Sequence, residues 1–512
     1  MRITKKRSAS RLLAVSVTAA LVAAACGGDD DDSSGSENTE EATAEATEAV
    51  TDEMTEEATD EATEEAADGG EASTGAVRLG ILGECEGGFA AQHEAVVAGA
   101  TLAMINKAGA TSNSSTTALD GFSGASIDGV DIELVGIGCG DDTADRAIQE
   151  VRQLVEQDGA NVVIGPLSGD EGIAVANYAL DHPEVTFING ISGAQDATLH
   201  VQAPNFFRFN GDGAQWNAGI GDFAYNDRGW RTAAVIADDY GFGWTSSAGM
   251  VADFCAAGGE ITSYVYPPLN GADYASFVEQ LPDPDEVDGY FWAVGGDTNA
   301  SLNAFVNSKG DIVGSQFAGN LFFSPGLAEA IGTGIAGALV GGFATLPGDI
   351  TTPEISTYAD SANAAWDTLV DGGSGEAVTP SDILLGGFAY GFYSGGLAFV
   401  TALDTVGGDL SDNHAALREE LSTMTLDAPY GPISLDENRQ ALVDTYVAEL
   451  VLEDDGTLSQ QTLGIIPGVD QTFGGTYSSE TEPPERDNTS CEQRDLPWQG
   501  NSIPVVDGVP QR

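Results

Sequence analysis

The chain has 512 residues and a formal net charge of -63 at pH 7, from 81 Asp and Glu against 18 Lys and Arg. A surface this acidic repels nucleic acid and anionic lipid head groups, which excludes partners of either kind. Hydrophobic residues make up 42% of the chain, so the composition is that of a globular protein and not of a fibrous one.

The N-terminus has the pattern of a secretion signal. Four of the residues 2–7 are Lys or Arg, and residues 12–25 form an apolar stretch too short for a membrane span of ~20 residues. Small residues then lead directly into Cys26, which resembles a bacterial lipobox and implies cleavage before Cys26 and acylation of its thiol. We therefore predict a signal peptide at 1–25 and a lipid anchor on Cys26, at the extracytoplasmic face of the cell membrane. The alternative is an ordinary signal peptide with an incidental Cys.

An acidic segment follows the signal. Residues 29–71 contain 19 Asp and Glu and no Lys or Arg. Several of the acids, such as Glu53 and Glu57, are spaced four residues apart, where like charges destabilise a helix. Because large apolar residues are almost absent as well, we predict that residues 26–75 form a disordered tether rather than a binding segment.

The remaining part is large enough for two lobes, since about 440 residues exceed what one simple core normally holds. The signal carries +5 and the tether -19, so that -49 remains for residues 72–512. No second apolar run of ~20 residues is present, so the lipid is the only membrane attachment that we expect.

Strands and helices alternate regularly in the first half of this part. Apolar segments bounded by Gly or Pro predict strands, and apolar residues at helical spacing predict the helices between them. The predicted strands are 77–82, 130–137, 161–164 and 185–188, and the helices are 90–106, one capped by Asp142 or Thr143, and 173–180. This order predicts a parallel, doubly wound sheet.

The same order starts again in the second half. The predicted strands are 231–237, 261–265 and 289–294, and the helices are 245–257, 274–281 and 300–308. Long helices near 354–370, 380–406 and 411–424 have no strands of their own, so they must pack on one of the lobes. The predicted fold class is α/β, with two Rossmann-like, doubly wound lobes in series.

Four cysteines remain besides Cys26. Export to an oxidising compartment predicts two disulfides, with three possible pairings. Cys85 and Cys139 follow the first two strands, whose ends are neighbours in a doubly wound sheet, so we predict this pair first. Cys255 and Cys491 would then join the C-terminal tail to a helix of lobe two; the alternative is free buried thiols. Because no CxxC or Cys/His cluster is present, we expect no metal site.

Glycine and small hydroxyl residues are concentrated where the predicted strands end, at 83–88, 165–169, 189–193 and 295–298. Ligands bind beyond the carboxyl ends of the strands in such sheets, and helix N-termini there offer N–H groups to an anion. The chain has no Gly-x-Ser-x-Gly elbow, and the Gly-x-Gly-x-x-Gly at 332–337 follows no clear strand. We therefore predict a binding protein that is not an enzyme and needs no cofactor.

A set of ordered segments carries a family resemblance. The segments are Val77 to Asn106, Gly140 to Thr143, Val162 to Ser168, Ala237 to Gly243, Ala293 to Asp297, Gly386 to Gly391 and Leu435 to Asn438. Together they resemble the solute-binding proteins of branched-chain (leucine/isoleucine/valine) amino acid ABC transporters, over roughly residues 76–465. The resemblance implies the periplasmic binding protein type 1 fold, in which three crossings join two lobes and the solute lies between them.

The resemblance also implies domain boundaries. Lobe one is expected at 76–209 and 348–437, and lobe two at 210–347 and 438–467, followed by a C-terminal tail at 468–512. With these boundaries the late helices return to lobe one.

Ligand-binding residues follow from the same resemblance. Relatives hold a ligand carboxylate with hydroxyls and backbone N–H groups, at positions that match Ser168 and Gly169 on one strand end and Ser192 and Gly193 on the next. The alternative for the two serines is helix N-capping.

Three more positions come from other strand ends. Tyr240 matches an aromatic contact from lobe two, with ordinary packing as the alternative. Asp297 matches a further pocket side chain, with a solvated carboxylate as the alternative. Phe89 follows a Gly pair and is either a lid or a core residue.

The acid that relatives use for the ammonium group of an amino acid is missing. Its position falls in 319–323, which contains no Asp or Glu. Asp297, Asp239 and Glu84 are the candidates to replace it. Otherwise the ligand has no amino group, and the aromatic pair at 322–323 suggests a more apolar solute.

The resemblance implies a monomeric protein that captures a small polar or amphipathic solute, an amino acid or a related carboxylate or amide, and delivers it to an ABC-transporter permease. The alternative is a lipoprotein with the same cleft that reports the solute to a membrane receptor. A secreted α/β enzyme is a third possibility, which an activated nucleophile in the pocket would support.

Overall fold

The computed structural model describes residues 76–511 except 270, 272, 323–326, 343–348, 455 and 507. The predicted signal peptide, the anchor Cys26 and the tether lie outside the described residues. Within the described part, no helix has both the length and the apolar character that crossing a bilayer requires.

Lobe one is built on a six-stranded sheet with the strand order β4-β5-β1-β6-β7-β8. All neighbours are parallel except β4 and β5. The strands of this lobe are β1 Val77–Glu84, β2 Thr111–Ser112, β3 Phe122–Ser123, β4 Ala125–Ile127, β5 Val130–Gly140, β6 Val162–Ile164, β7 Thr186–Ile188 and β8 Phe206–Phe207, and its first helices are α1 His93–Ala108, α2 Ala144–Arg152, α3 Gly169–Asp181 and α4 Asp196–Leu199.

Lobe two begins with a second parallel sheet, in the order β10-β9-β11-β12-β13. The five residues of β11 are all buried, as expected for a strand covered by helices on both faces. The elements are α5 Ile220–Asn226, β9 Thr232–Ala237, α6 Gly241–Ala257, β10 Glu260–Val265, α7 Tyr274–Val278, β11 Gly289–Ala293, α8 Thr298–Lys309, β12 Phe317–Gly319, α9 Leu327–Ile331 and β13 Leu339–Val340.

The late helices pack on lobe one. The central one of them, α12, is buried along almost its whole length and lies against α1. The two helices approach so closely that a Cβ on Gly99 would lie 2.1 Å from the carbonyl oxygen of Ala389. The elements of this segment are α10 Pro353–Ala365, β14 Leu369–Val370, β15 Ala377–Val378, α11 Pro380–Leu384, α12 Gly387–Thr405, α13 Ser411–Thr423, β16 Thr425–Ala428 and β17 Gly431–Leu435.

Lobe two is completed by antiparallel strands from the end of the chain. The strands are β18 Ala441–Leu452, β19 Leu458–Val469, β20 Ile503–Val506 and β21 Val509–Pro510. β18 pairs with β13, and β19 and β20 extend the sheet from it. The predicted α/β fold class is therefore confirmed, but both sheets are mixed rather than wholly parallel, with one antiparallel edge strand in lobe one and several antiparallel strands in lobe two.

The chain passes between the lobes after β8, after β13 and after β17. Arg208, at the first crossing, is fully buried and donates hydrogen bonds to the carbonyl oxygens of Ser192 and Ala194. Its guanidinium also donates to Gln440 at the third crossing and to Thr198 of α4. One buried side chain thus joins two of the crossings to lobe one.

The C-terminal tail packs on lobe two. Its Phe473 and Trp498 stack edge to face with ring centroids 4.7 Å apart, and the Trp498 indole donates to Asp253 of α6. A disulfide joins Cys255 of α6 to Cys491, and a second one joins Cys85 to Cys139 in lobe one. Both predicted cysteine pairs are therefore present.

Candidate functional site

A cleft lies between the two lobes at the carboxyl ends of the parallel strands. Aromatic side chains divide it into three compartments. The hinge-side compartment lies among the crossings, near Phe209, Asn210, Tyr390, Tyr430 and Tyr446. The central compartment is bounded by Phe89, Gly169, Gly193, Trp216, Tyr240, Phe242 and Phe388. The outer compartment is bounded by Gly88, Phe89, Gly295, Gly296, Asp297 and Phe388.

The compartments differ greatly in size. The free volume of the central compartment is about 10 Å³, which holds roughly one water molecule. Five aromatic rings, two from lobe one and three from lobe two, fill the rest. The hinge-side compartment measures about 150 Å³ and the outer compartment about 540 Å³. The central compartment therefore admits a solute only when the rings or the lobes move apart.

The two lobes are in direct contact across the central compartment. A Cβ on Gly169 of lobe one would lie 2.7 Å from the backbone nitrogen of Phe242 in lobe two. Next to this contact, the backbone N–H of Gly241 donates to Asp170 at 2.9 Å, and that of Gly213 donates to the carbonyl oxygen of Gly193 at 2.8 Å. The structure thus has the cleft in a closed conformation.

The predicted glycines and aromatic residues lie at the cleft. Gly169 and Gly193 bound the central compartment from lobe one, and Tyr240 bounds it from lobe two. Phe89 lines both the central and the outer compartment. It also belongs to an apolar cluster that extends from lobe one to Trp216, Tyr240 and Phe242 of lobe two. Its packing agrees with the core alternative for Phe89, and a role as a lid stays a prediction. Whether these residues bind a ligand stays a prediction.

The two predicted serines are both buried, but they are held differently. Ser192 donates from its hydroxyl to Asn189 at 2.8 Å within lobe one. Ser168 occupies the N-cap position of α3 without a capping hydrogen bond from its side chain. Its hydroxyl is buried and has no hydrogen-bond partner among the described residues. Ser168 thus keeps an uncommitted polar group, whereas the hydroxyl of Ser192 is already engaged.

Of the three candidate acids, only Asp297 lines a compartment of the cleft. Its side chain is exposed at the outer compartment, where it caps α8 by accepting from the N–H of Ala300 at 2.8 Å. Asp239 instead forms an ion pair with Arg486 of the tail. Glu84 is fully buried in lobe one. The cleft in this conformation therefore offers the carboxylate of Asp297 and not those of the other two.

Glu84 belongs to a buried carboxyl pair. One of its oxygens accepts from the N–H groups of Leu167 and Ser168, at 2.8 and 2.7 Å. Burial raises the pKa of Glu84 and, together with the charge of Glu84, raises the pKa of Glu171 well above its usual range. A protonated Glu171 donating to an ionised Glu84 satisfies both groups.

Asp238 is the corresponding buried acid of lobe two. It accepts from the N–H groups of Gly295 and Gly296, at 2.6 and 3.1 Å. Burial raises the pKa of this carboxyl to about 7, and the charges of Asp142 and Asp297 act in the same direction. The cleft therefore lies in a strongly acidic neighbourhood.

Several cleft residues escaped the sequence prediction. Phe242 and Phe388 lie inside segments that carried the family resemblance, so their aromatic character was a usable signal. Trp216 lies in a short 3-10 helix, Gln215–Asn217, after the first crossing, where no periodicity or strand end in the sequence pointed to it. Leu321 lies in the segment 319–323, which drew attention only because it lacks the acid that relatives use for an ammonium group.

Comparisons with known proteins agree with this architecture. A sequence model of the family described as periplasmic binding protein matches residues 76–457. A Leu/Ile/Val-binding protein homolog from Brucella melitensis is 23% identical over 392 residues, which cover 74% of this chain and 89% of the relative.

Solved structures show the same fold. An ABC transporter substrate-binding protein from Sphaerobacter thermophilus has a TM-score of 0.61 at 23% identity, covering 77% of this chain and 99% of that one. A solute-binding protein from Rhodopseudomonas palustris in complex with 3,4-dihydroxybenzoic acid has a TM-score of 0.62 at 21% identity, with 78% and 99% covered. A leucine binding protein from Thermotoga maritima has a TM-score of 0.59 at 16% identity, with 76% and 99% covered. From the family match and the two-lobed fold, the chain belongs to the periplasmic binding protein family.

Proposed function

We propose that this protein captures a small solute between its two lobes and delivers it to an ABC-transporter permease in the membrane. The observation that carries the proposal is the closed cleft, in which Gly169 of lobe one touches the backbone of Phe242 in lobe two. Residues of both lobes surround the three compartments, so a solute held there would favour the closed state over the open one.

The site residues of this proposal are those that bound the cleft. Gly169 and Gly193 act from lobe one, and Tyr240 and Asp297 act from lobe two. The buried hydroxyl of Ser168, next to Gly169, would join them only when the lobes move apart. The proposal extends to a lipid anchor on Cys26, which keeps a monomeric binding protein near the permease at the extracytoplasmic face. The comparisons support this role, since the relatives named above include solute-binding proteins of ABC transporters.

Thermal unfolding and isothermal titration against a panel of amino acids, amides, aliphatic and aromatic carboxylates, and amines test the capture step. A solute at 100 times its Kd stabilises the folded state by about 2.7 kcal/mol, which is measurable as a rise in Tm. Small-angle scattering with and without that solute should show a smaller radius of gyration when it is bound. If no panel member raises the Tm or gives heat, the proposed function is wrong.

The anchor is tested separately by membrane fractionation of cells that express the full chain. The wild-type protein should sediment with the membranes, and Cys26→Ala should appear in the soluble extracytoplasmic fraction. Equal membrane association of both proteins would refute the lipid anchor and would leave the proposal of solute capture unaffected.

A further inference from the structure

Backbone N–H groups at the lobe-one side of the cleft are already hydrogen bonded to carboxylates of the protein itself. Leu167 and Ser168, in the loop before α3, both donate to Glu84. Gly88, at the outer compartment, donates to Asp142 at 2.6 Å. Free N–H groups at such positions normally bind anions, and here they are already paired with negative charge.

The lobe-two side has the same arrangement. Gly295 and Gly296, which bound the outer compartment, both donate to Asp238. The first turn of α8 behind them is capped by Asp297. Buried carboxylates thus lie behind both walls of the outer compartment, where they already accept from the backbone N–H groups that an anionic solute would need.

Positive groups are not available to offset these acids. Among the described residues that line the three compartments there is no Lys, Arg or His. His93 lies close by in the first turn of α1, and burial lowers the pKa of its imidazole. Arg208 is enclosed at the hinge, and Arg486 pairs with Asp239. The free energy cost of removing an anion from water would therefore not be offset by a positive side chain in this cleft.

The outer compartment also offers aromatic surface. The rings of Phe89 and Phe388 lie 5.8 Å apart and are tilted by 53°. Beside them stand the exposed carboxylate of Asp297 and, behind Gly295, the fully buried Asp238, whose second oxygen has no hydrogen-bond partner among the described residues. Aromatic rings and carboxylates both attract a cation, and rings also accept its alkyl groups.

We propose that the solute is a small organic cation with an apolar body, an alkyl- or arylammonium compound, bound in the outer compartment against Phe89, Phe388 and Asp297. This inference rests on the proposed function and specifies its substrate class. It differs from the aromatic acid in the Rhodopseudomonas palustris complex. A volume of about 540 Å³ lies within the range of small-molecule pockets. An inorganic divalent cation fits less well, because it needs six or more oxygen ligands in place of phenyl rings.

Ligands of equal shape and different charge test the proposal on the full-length mature protein. Isothermal titration compares benzylammonium with benzyl alcohol and benzoate, and choline with its uncharged isostere 3,3-dimethylbutan-1-ol. We expect the cation of each set to bind on the order of tenfold tighter than the neutral compound. Benzoate should bind more weakly than benzyl alcohol.

Matched variants locate the site. Asp297→Asn keeps the helix cap but removes the charge, so it should weaken cation binding on the order of tenfold and weaken the binding of the neutral compounds much less. Asp273→Asn is the control, because Asp273 caps α7 in the same way and its side chain does not line the described compartments. Phe388→Leu should weaken cations more than neutral compounds.

The outcomes separate this inference from the proposed function. Tighter binding of an anion or a neutral compound from any panel would overturn the cation assignment while solute capture stands. Equal losses in Asp297→Asn and Asp273→Asn would overturn the assigned site. If no compound of any charge binds, both the capture function and the cation assignment are wrong.

Discussion

Glu84 of lobe one and Asp238 of lobe two occupy equivalent positions. Glu84 is the last residue of β1 and Asp238 directly follows β9, the first strands of the two lobes. Each accepts two backbone N–H groups from the loop after the neighbouring parallel strand. The two lobes thus fix their cleft-side loops by the same device. Both carboxyls are fully buried. The positions of the cleft-side loops therefore depend on the protonation state of two acids that solvent water does not contact.

The stability of the protein should fall as the pH rises through neutrality. Burial raises the pKa of Asp238 and of Asp253 from 3.8 to about 7. Between pH 4 and 7 the folded state keeps protons that the unfolded state has lost, so the free energy of unfolding decreases with rising pH in this window. We expect the Tm to drop by several degrees between pH 5 and pH 8.

Asp238→Asn keeps an acceptor for the two glycine N–H groups and removes the titration. Its Tm should therefore depend less on pH than that of the wild type, and Asp253→Asn should behave alike. Asp131→Asn, which changes an exposed carboxylate, is the control. Equal pH dependence in Asp238→Asn and the wild type would show that Asp238 does not titrate in this window.

Much of the fold could be predicted because its signals are local. Segments such as 77–82 and 289–294 are apolar runs bounded by glycine, and each became a buried parallel strand. The Cys85–Cys139 pair followed from the adjacency of two strand ends. Position on a strand end also brought Gly169, Gly193, Tyr240 and Asp297 to the cleft.

What could not be predicted depends on contacts between distant parts of the chain. No local pattern shows that β19 pairs with β20 of the tail, since the two strands are separated by more than 30 residues. The direction of the Glu84 side chain was also hidden. An acid at a strand end turns toward the cleft or toward the neighbouring loop, depending on which backbone N–H groups lie near it. For Glu84 these N–H groups come from residues more than 80 positions away, so the sequence does not reveal them.

Closure of the lobes should require a glycine at position 169. In Gly169→Ala the new Cβ would lie 2.7 Å from the backbone nitrogen of Phe242, so the lobes must shift apart. Overpacking of this kind costs about 1–3 kcal/mol, which predicts solute binding that is weaker by about fivefold or more. Isothermal titration with the solute of the wild type measures the loss, and small-angle scattering should show a more open protein.

Asn177→Ala, on the exposed face of the same helix, is the matched control and should bind like the wild type. Unchanged affinity in Gly169→Ala would mean that the solute is held without the interlobe contact.

Removing the disulfide of the tail should expose the C-terminus to proteolysis. In Cys255→Ser/Cys491→Ser the tail keeps its strand pairing and the Phe473–Trp498 packing, but it loses a crosslink that spans 236 residues. Such a loss costs about 2–4 kcal/mol. In limited proteolysis, the tail of this variant should be cleaved before the lobes, and at a lower protease concentration than the tail of the wild type. Cys85→Ser/Cys139→Ser is the control, and similar tail cleavage in both variants would contradict the assigned anchoring role.

The hinge should depend on Arg208. Arg208→Met leaves the carbonyl oxygens of Ser192 and Ala194 without its donors and leaves Asp212, 4.0 Å away, as an unpaired buried acid. We expect a loss of about 3–5 kcal/mol in the free energy of unfolding, measured with urea. Adding Asp212→Asn should recover part of this loss, because the isolated charge disappears. A double variant as unstable as the sum of both single changes would show that the two side chains are not energetically coupled, and that Arg208 acts only through its hydrogen bonds to the crossings.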